Sequence, residues 1–126
     1  MTPKHNITSE SALDLITKGN PLVDFYISGK LDLGLNKNYV EGLVVKNCII
    51  ENLLYPTIEY KGHVKLLHSQ FLKSEFVFSY FTEGLQIENC VFDSYLDFQC
   101  GGHNKNNTVI SITNSTFKRF VNFFDC

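Results

Sequence analysis

A pattern of apolar residues that recurs about every twenty-one positions constrains this chain more than any other feature. Leu43 to Ile50 reads LVVKNCII, Val64 to Phe71 reads VKLLHSQF, Leu85 to Phe92 reads LQIENCVF, and Ile110 to Phe117 reads ISITNSTF. Their starting points are separated by 21, 21 and 25 residues. Each segment opens with two apolar residues two positions apart (Leu43/Val45, Val64/Leu66, Leu85/Ile87, Ile110/Ile112), the spacing of one face of a β-strand. A fixed period near twenty is what a solenoid requires, because each turn buries its inner face only against its neighbours.

Position by position, the repeats predict their own geometry. Asn47, His68, Asn89 and Asn114 follow the first strand, and Asn tolerates the left-handed backbone of a corner, so a bend is predicted there. Beyond it, a small residue (Cys48, Ser69, Cys90, Ser115) alternates with a large one (Ile50, Phe71, Phe92, Phe117), which predicts a second inward face closed by an aromatic stack. A third face is read from Phe76-Val77-Phe78, Leu96-Asp97-Phe98 and Val121-Asn122-Phe123, outer residues inward and the middle one outward. Three strands per coil predict a triangular outline. The expected fold is all-β: a right-handed parallel β-helix of about 21 residues per coil. Residues 21–126 would form four to five coils, the first of them incomplete around Gly29, Leu31 and Leu33.

Residues 1–20 read differently. Residues 1–8 are expected to form a loose lead. Ser9 to Asn20 then predicts a short helix, with Thr8 or Ser9 as its cap and Gly19 as its stop. Ala12, Leu15 and Ile16 share one side, with Leu13 at its edge. About three turns are marginal alone, so this side should cap the open end of the first coil. Asn36-Lys37-Asn38 is expected as a turn, Pro56 marks an outward loop, and Cys100 to Thr108, rich in Gly and Asn, a loop projecting between coils.

With these residues placed, the chain resembles the pentapeptide-repeat and related right-handed β-helix proteins of bacteria. The resemblance rests on residues 27–33 (ISGKLDL), 47–50 (NCII), 89–98 (NCVFDSYLDF) and 114–117 (NSTF) and spans residues 27–126. The five-residue beat of that family is kept at Phe71 and Phe76 and broken elsewhere. The resemblance implies a non-enzymatic scaffold or protein-interaction module. Some members resemble duplex DNA and bind topoisomerases, an alternative that needs a long acidic rod. Here 13 acidic residues face 11 basic ones, for a net charge of -2, so neither that rod nor direct nucleic-acid binding is expected. A small carbohydrate-binding or carbohydrate-cleaving β-helix fragment is a third possibility, marked by a carboxylate-lined groove or exposed Tyr.

Each residue that could carry chemistry also has a plainer role. Cys48 and Cys90 occupy one small-residue column two coils apart, roughly 9–10 Å, beyond disulfide reach, so all four cysteines are expected as thiols in a cytoplasmic protein. Cys100, His103 and Cys126 make weak zinc spacing, and Cys100 with His103 lacks the orienting group of a catalytic dyad. His68 belongs to the corner series. Asp93, Asp97 and Asp125 read as a solvated face in preference to paired catalytic carboxylates. No catalytic, cofactor or metal residue is therefore assigned, and no cofactor and no membrane span are expected. The partner expected is a protein. Outward Val44, Ile49, Val77 and Val91 suggest an apolar strip for it, and the fourth repeat, which stops in mid-pattern at Cys126 without a cap, suggests either a piece of a longer protein or, the reading favoured, a homodimer across the C-terminal coil with Phe117 and Phe123 near the seam.

Overall fold

The computed structural model describes residues 2–3, 5–34, 39–54, 58–76, 79–101, 103–105 and 107–124. They form a parallel β-solenoid of about five turns with one short helix at its N-terminal end. The first stack of strands is Leu22–Val23, Leu43–Lys46, Val64–Leu67, Leu85–Glu88 and Ile110–Thr113, which begin coils one to five. Leu43, Val64, Leu85 and Ile110 lie in register, as do Val45, Leu66, Ile87 and Ile112. The period read from the sequence is the coil.

After the first stack the chain turns at Asp24, Asn47, His68, Asn89 and Asn114, all at positive φ between 48° and 64°. The corner is held by backbone bonds between coils, from Asn47 N–H to the Leu67 carbonyl (3.1 Å), His68 to Glu88 (2.9 Å) and Asn89 to Thr113 (3.2 Å). The second stack follows: Phe25–Asp32, Ile49–Leu54, Gln70–Phe71, Val91–Phe92 and Thr116–Phe117. Ile27, Ile50, Phe71 and Phe92 point inward and are fully buried. Phe71, Phe92 and Phe117 stack with ring centroids 4.9 and 5.2 Å apart, the spacing that adjacent parallel strands impose.

Two expectations change at the next corner. The third stack runs from Leu31 and Leu53 through Ser74–Glu75 to Leu96–Asp97 and Val121–Asn122. Phe76 therefore aligns with Phe98 and Phe123, with ring spacings of 5.2 and 5.3 Å, and not with Leu96. The expected alignment of this face holds between coils four and five, Leu96 with Val121, and is two residues out of step in coil three, because alternation has a period of two and does not fix the register. Val77, and with it one residue of the expected outward strip, lies outside the described residues, as does Pro56.

A fourth stack was not expected. Tyr39–Val40, Glu59–Tyr60 and Tyr80–Phe81 pair in parallel, and the Tyr60 and Phe81 rings stack at 5.0 Å, so the coil has four sides and not three. Coil three shows why. Leu66, Phe71, Phe76 and Phe81 are five residues apart, all buried, and Ser69, Ser74 and Ser79, each two residues before an aromatic, are buried as well. One large and one small inward residue per five turns the chain through one side. Coil one is also complete, with strands on all four sides.

At the N-terminal end, His5–Thr8 is a strand paired in parallel with Phe25 to Ser28, so the expected loose lead is instead part of the second stack. Thr8 ends that strand and caps α1 (Ser9–Thr17), its Oγ1 accepting the Ser11 N–H at 3.2 Å. Gly19, at φ +78°, ends the helix where a side chain would be strained. Ala12 and Ile16 are buried, and Leu13 and Leu15 pack on the core, so α1 caps the first coil. Nearby, the Glu51 carboxylate accepts the Gly29 N–H at 2.9 Å and the Tyr26 hydroxyl at 2.7 Å, pinning the irregular register between Ile27 and Lys30. Those two donors lower the Glu51 pKa, and the same bond raises that of Tyr26.

The small-residue column is a hydrogen-bonded ladder. Ser69 Oγ donates to the Leu67 carbonyl (2.8 Å) and accepts the Cys48 N–H (3.0 Å), and Ser115 Oγ accepts the Cys90 N–H (3.2 Å). Cys48 and Cys90 are unpaired and buried, their thiols donating to the Leu22 and Leu66 carbonyls one coil before. Burial raises both thiol pKa values above the usual range, although backbone hydrogen bonds work against it. The folded state thus holds these protons more tightly than the unfolded chain. Their contribution to stability is complete below the unfolded thiol pKa of about 8.5 and is lost as pH rises through the folded value. Urea midpoints are expected to fall from pH 8 to 9.5, and a Cys48→Ser/Cys90→Ser variant, which extends the Ser69 hydroxyl along the column, to fall less steeply. In the native protein a thiol reagent should label Cys100, which is half-exposed, well before Cys48 and Cys90. Equal rates for the three would contradict the inward column.

Candidate functional site

The strands of coil five (Ile110–Thr113, Thr116–Phe117, Val121–Asn122) pair with coil four on one side only among the described residues. Phe117 covers Phe92, and Phe123 covers Phe98, while the far side of each ring is the end of its stack among the described residues. Phe120 is 81% exposed, Val109 70%, Phe124 68% and Phe123 50%. No other region of the described residues gathers large apolar side chains at such exposures. The opposite end differs: α1 and His5–Thr8 cover the first coil, and that outer strand is polar in sequence (HNIT). Among the described residues, exposed apolar rings therefore gather at coil five, whereas α1 and His5–Thr8 lie over the first coil. Strand edges beside exposed rings are a surface on which further backbone and apolar side chains can pack.

The corner between the second and third stacks carries a second feature. In coil three the chain passes from Phe71 to Ser74, but in coil four from Phe92 to Leu96, one residue more. The added residue, Tyr95, is pushed outward and is 44% exposed, and Phe120 holds the like place in coil five. Tyr95 stands over a depression of about 300 Å³ lined also by Leu54, Lys73, Glu75, Ser94 and Asp97. Its hydroxyl donates to Asp97 Oδ2 at 3.1 Å, and Asp97 Oδ1 accepts the Gln99 N–H at 2.8 Å, which fixes the carboxylate and through it the ring. A larger groove, about 710 Å³, lies between the end of α1 and the start of coil two, floored by Leu13, Ile16, Leu33, Val40 and Leu43.

The other singled-out residues fall elsewhere. Cys100 is half-buried and His103 exposed, its ring edge-on to Tyr80 at 4.4 Å; Cys126 lies outside the described residues. Among the described residues no three His, Cys, Asp or Glu side chains gather as metal ligands. His68 is an exposed corner residue. Asp93 and Asp97 belong to different sides: Asp93 pairs with Lys118 (3.3 Å) and accepts from Gln70 (2.9 Å), whereas Asp97 holds Tyr95. Asp125 is outside the described residues. The expected apolar strip is broken, since Gln70 lies between Ile49 and Val91 and both are half-buried; Val44 stands beside Lys65. Sequence reasoning missed Tyr95 and Phe120, and the signal was there: three residues, not two, between the large residue of one side and the first inward residue of the next.

The described residues thus form a parallel β-solenoid of about five turns with one short helix over its first coil. No family model, curated protein or solved structure matches the chain. No helix among the described residues is long and apolar enough to cross a membrane.

Proposed function

We propose that the protein is a non-enzymatic interaction module, akin to the pentapeptide-repeat proteins of bacteria, whose fifth coil docks on another protein. The observation that carries this is the exposure of Phe120, Phe123, Phe124 and Val109 around unpaired strand edges. The five-residue beat from Leu66 to Phe81 supports the likeness, and unpaired buried thiols fit a reducing, cytoplasmic setting. The near-neutral balance of 13 acidic and 11 basic residues disfavours a mimic of DNA.

A second copy of the chain is the partner that fits this end best. The outer strand at the first coil, His5–Thr8, is polar in sequence and offers no ring to match Phe120, Phe123 and Phe124, whereas two fifth coils meeting across a twofold axis bury the same rings on both sides. The end of one coil is smaller than the usual ~800 Å² per partner, so the association should be weak and concentration-dependent. Sedimentation velocity over a range of concentrations is expected to show monomer passing to dimer, and Phe123→Glu to return it to monomer with an unchanged circular dichroism spectrum. Monomer at every concentration would remove the second copy as the occupant.

A further inference from the structure

We propose that the depression beneath Tyr95 is a saccharide subsite, independent of the fifth-coil surface. Three observations combine. An insertion at one corner sets an aromatic ring outside the solenoid, and the hydrogen bond from Tyr95 to Asp97 holds it in one orientation. A fixed, half-exposed ring presents a flat apolar face at little entropic cost, which suits the C–H face of a pyranose. The depression, about 300 Å³, lies at the lower end of the range for small-ligand sites.

The polar rim selects the chemistry. Glu75 and Asp97 lie side by side, the Phe76 N–H between them donating to the Asp97 carbonyl at 3.0 Å, and two carboxylates oppose an anionic ligand. Lys73 lines the same depression and opposes a cationic one. The side chains of Lys73 and Glu75 enter no hydrogen bond or ion pair among the described residues, so one donor group and one acceptor group remain uncommitted. A neutral ring bearing hydroxyls, which both donate and accept, uses this set in full. Asp97 is a positioning residue in this scheme, because its two oxygens are engaged by Tyr95 and Gln99.

Titration of the whole chain with maltohexaose, cellohexaose and chitohexaose, followed by amide chemical shifts, tests the proposal. At least one is expected to shift residues 73–75 and 94–97 with millimolar affinity. Tyr95→Ala should weaken that affinity about tenfold or more, and Tyr95→Phe, which keeps the ring, only a few-fold. Glu75→Gln provides a second, milder variant should the first perturb the corner. Phe123→Glu should leave the sugar response unchanged while altering self-association, so the two sites succeed or fail separately. No response to any of the three sugars, a response that survives in Tyr95→Ala, or a response of the same residues to arginine amide and not to sugar would each overturn it.

Discussion

Phe92→Ala is expected to unfold most of the protein at moderate temperature, lowering its stability by about 3–5 kcal/mol. Phe92 is fully buried and is the middle ring of its stack, 4.9 Å from Phe71 and 5.2 Å from Phe117. Its loss removes the buried ring and both stacking contacts, each worth about 0.5–1.5 kcal/mol beyond burial. The cavity cannot close, because the strands on either side are fixed at ladder spacing by bonds such as Val91 N–H to Ser69 O (2.9 Å) and Lys118 N–H to Phe92 O (3.0 Å). A domain with a typical total of about 5–15 kcal/mol has little left after such a loss. Phe117→Ala provides the comparison: it stacks on one side only and is half-buried, so urea denaturation should report a clearly smaller cost. Equal costs for the two positions would mean that the stack does not act through its middle ring.

The same stack shows how far the fold was legible in the sequence. Phe71, Phe92 and Phe117, the Asn corner and the Cys/Ser column could be aligned because each recurs from repeat to repeat, and the strand register agrees with every one of those alignments. Where a position recurs less often the sequence underdetermines it. Phe76 and Phe78 share one phase of the alternation, so the pattern leaves two registers open, and only the partner strand selects Phe76 as the counterpart of Phe98. The fourth side is marked by large residues at Tyr60 and Phe81, but only coil three keeps the five-residue beat through it, so three sides account for the pattern in the other coils. His5–Thr8 carries no strand pattern that alternation could reveal; its pairing with Phe25 to Ser28 is a consequence of the helix folding back over the first coil.

The surface was less legible than the core, for a physical reason. Inward positions are constrained by neighbours above and below and therefore repeat, whereas outward positions answer to solvent or a partner and vary. The outward column Tyr26, Ile49, Gln70, Val91 and Thr116 has no common chemistry. Tyr95 and Phe120 are visible only as a change in spacing, and that change becomes meaningful once Leu96 and Val121 are known to be in register. Exposure at the fifth coil could be anticipated for Phe117 and Phe123 from the repeat, but Phe120 and Phe124 add most of the exposed apolar surface there.

Gly62→Ala is the second large effect, and it tests the coil spacing itself and not the core. A Cβ built on Gly62 would lie 2.0 Å from the carbonyl oxygen of Glu41 in the coil below. That oxygen belongs to backbone, and the corner around it is held by the bonds from Leu43 N–H to His63 O (3.0 Å) and from Lys61 N–H to Val40 O (2.8 Å). Neither chain can move aside without breaking a rung, so overpacking should cost about 3 kcal/mol, at the upper end of the usual range. Gly42 is the internal control: its added Cβ would meet His63 O at 3.3 Å, a gap that a few tenths of an ångström would relieve. Gly42→Ala is thus expected to cost well under half as much as Gly62→Ala in paired urea denaturations. If both substitutions were tolerated equally, the two coils would have to separate freely at this corner, and the corner would then not be what sets the distance between the Tyr39–Val40 and Glu59–Tyr60 strands.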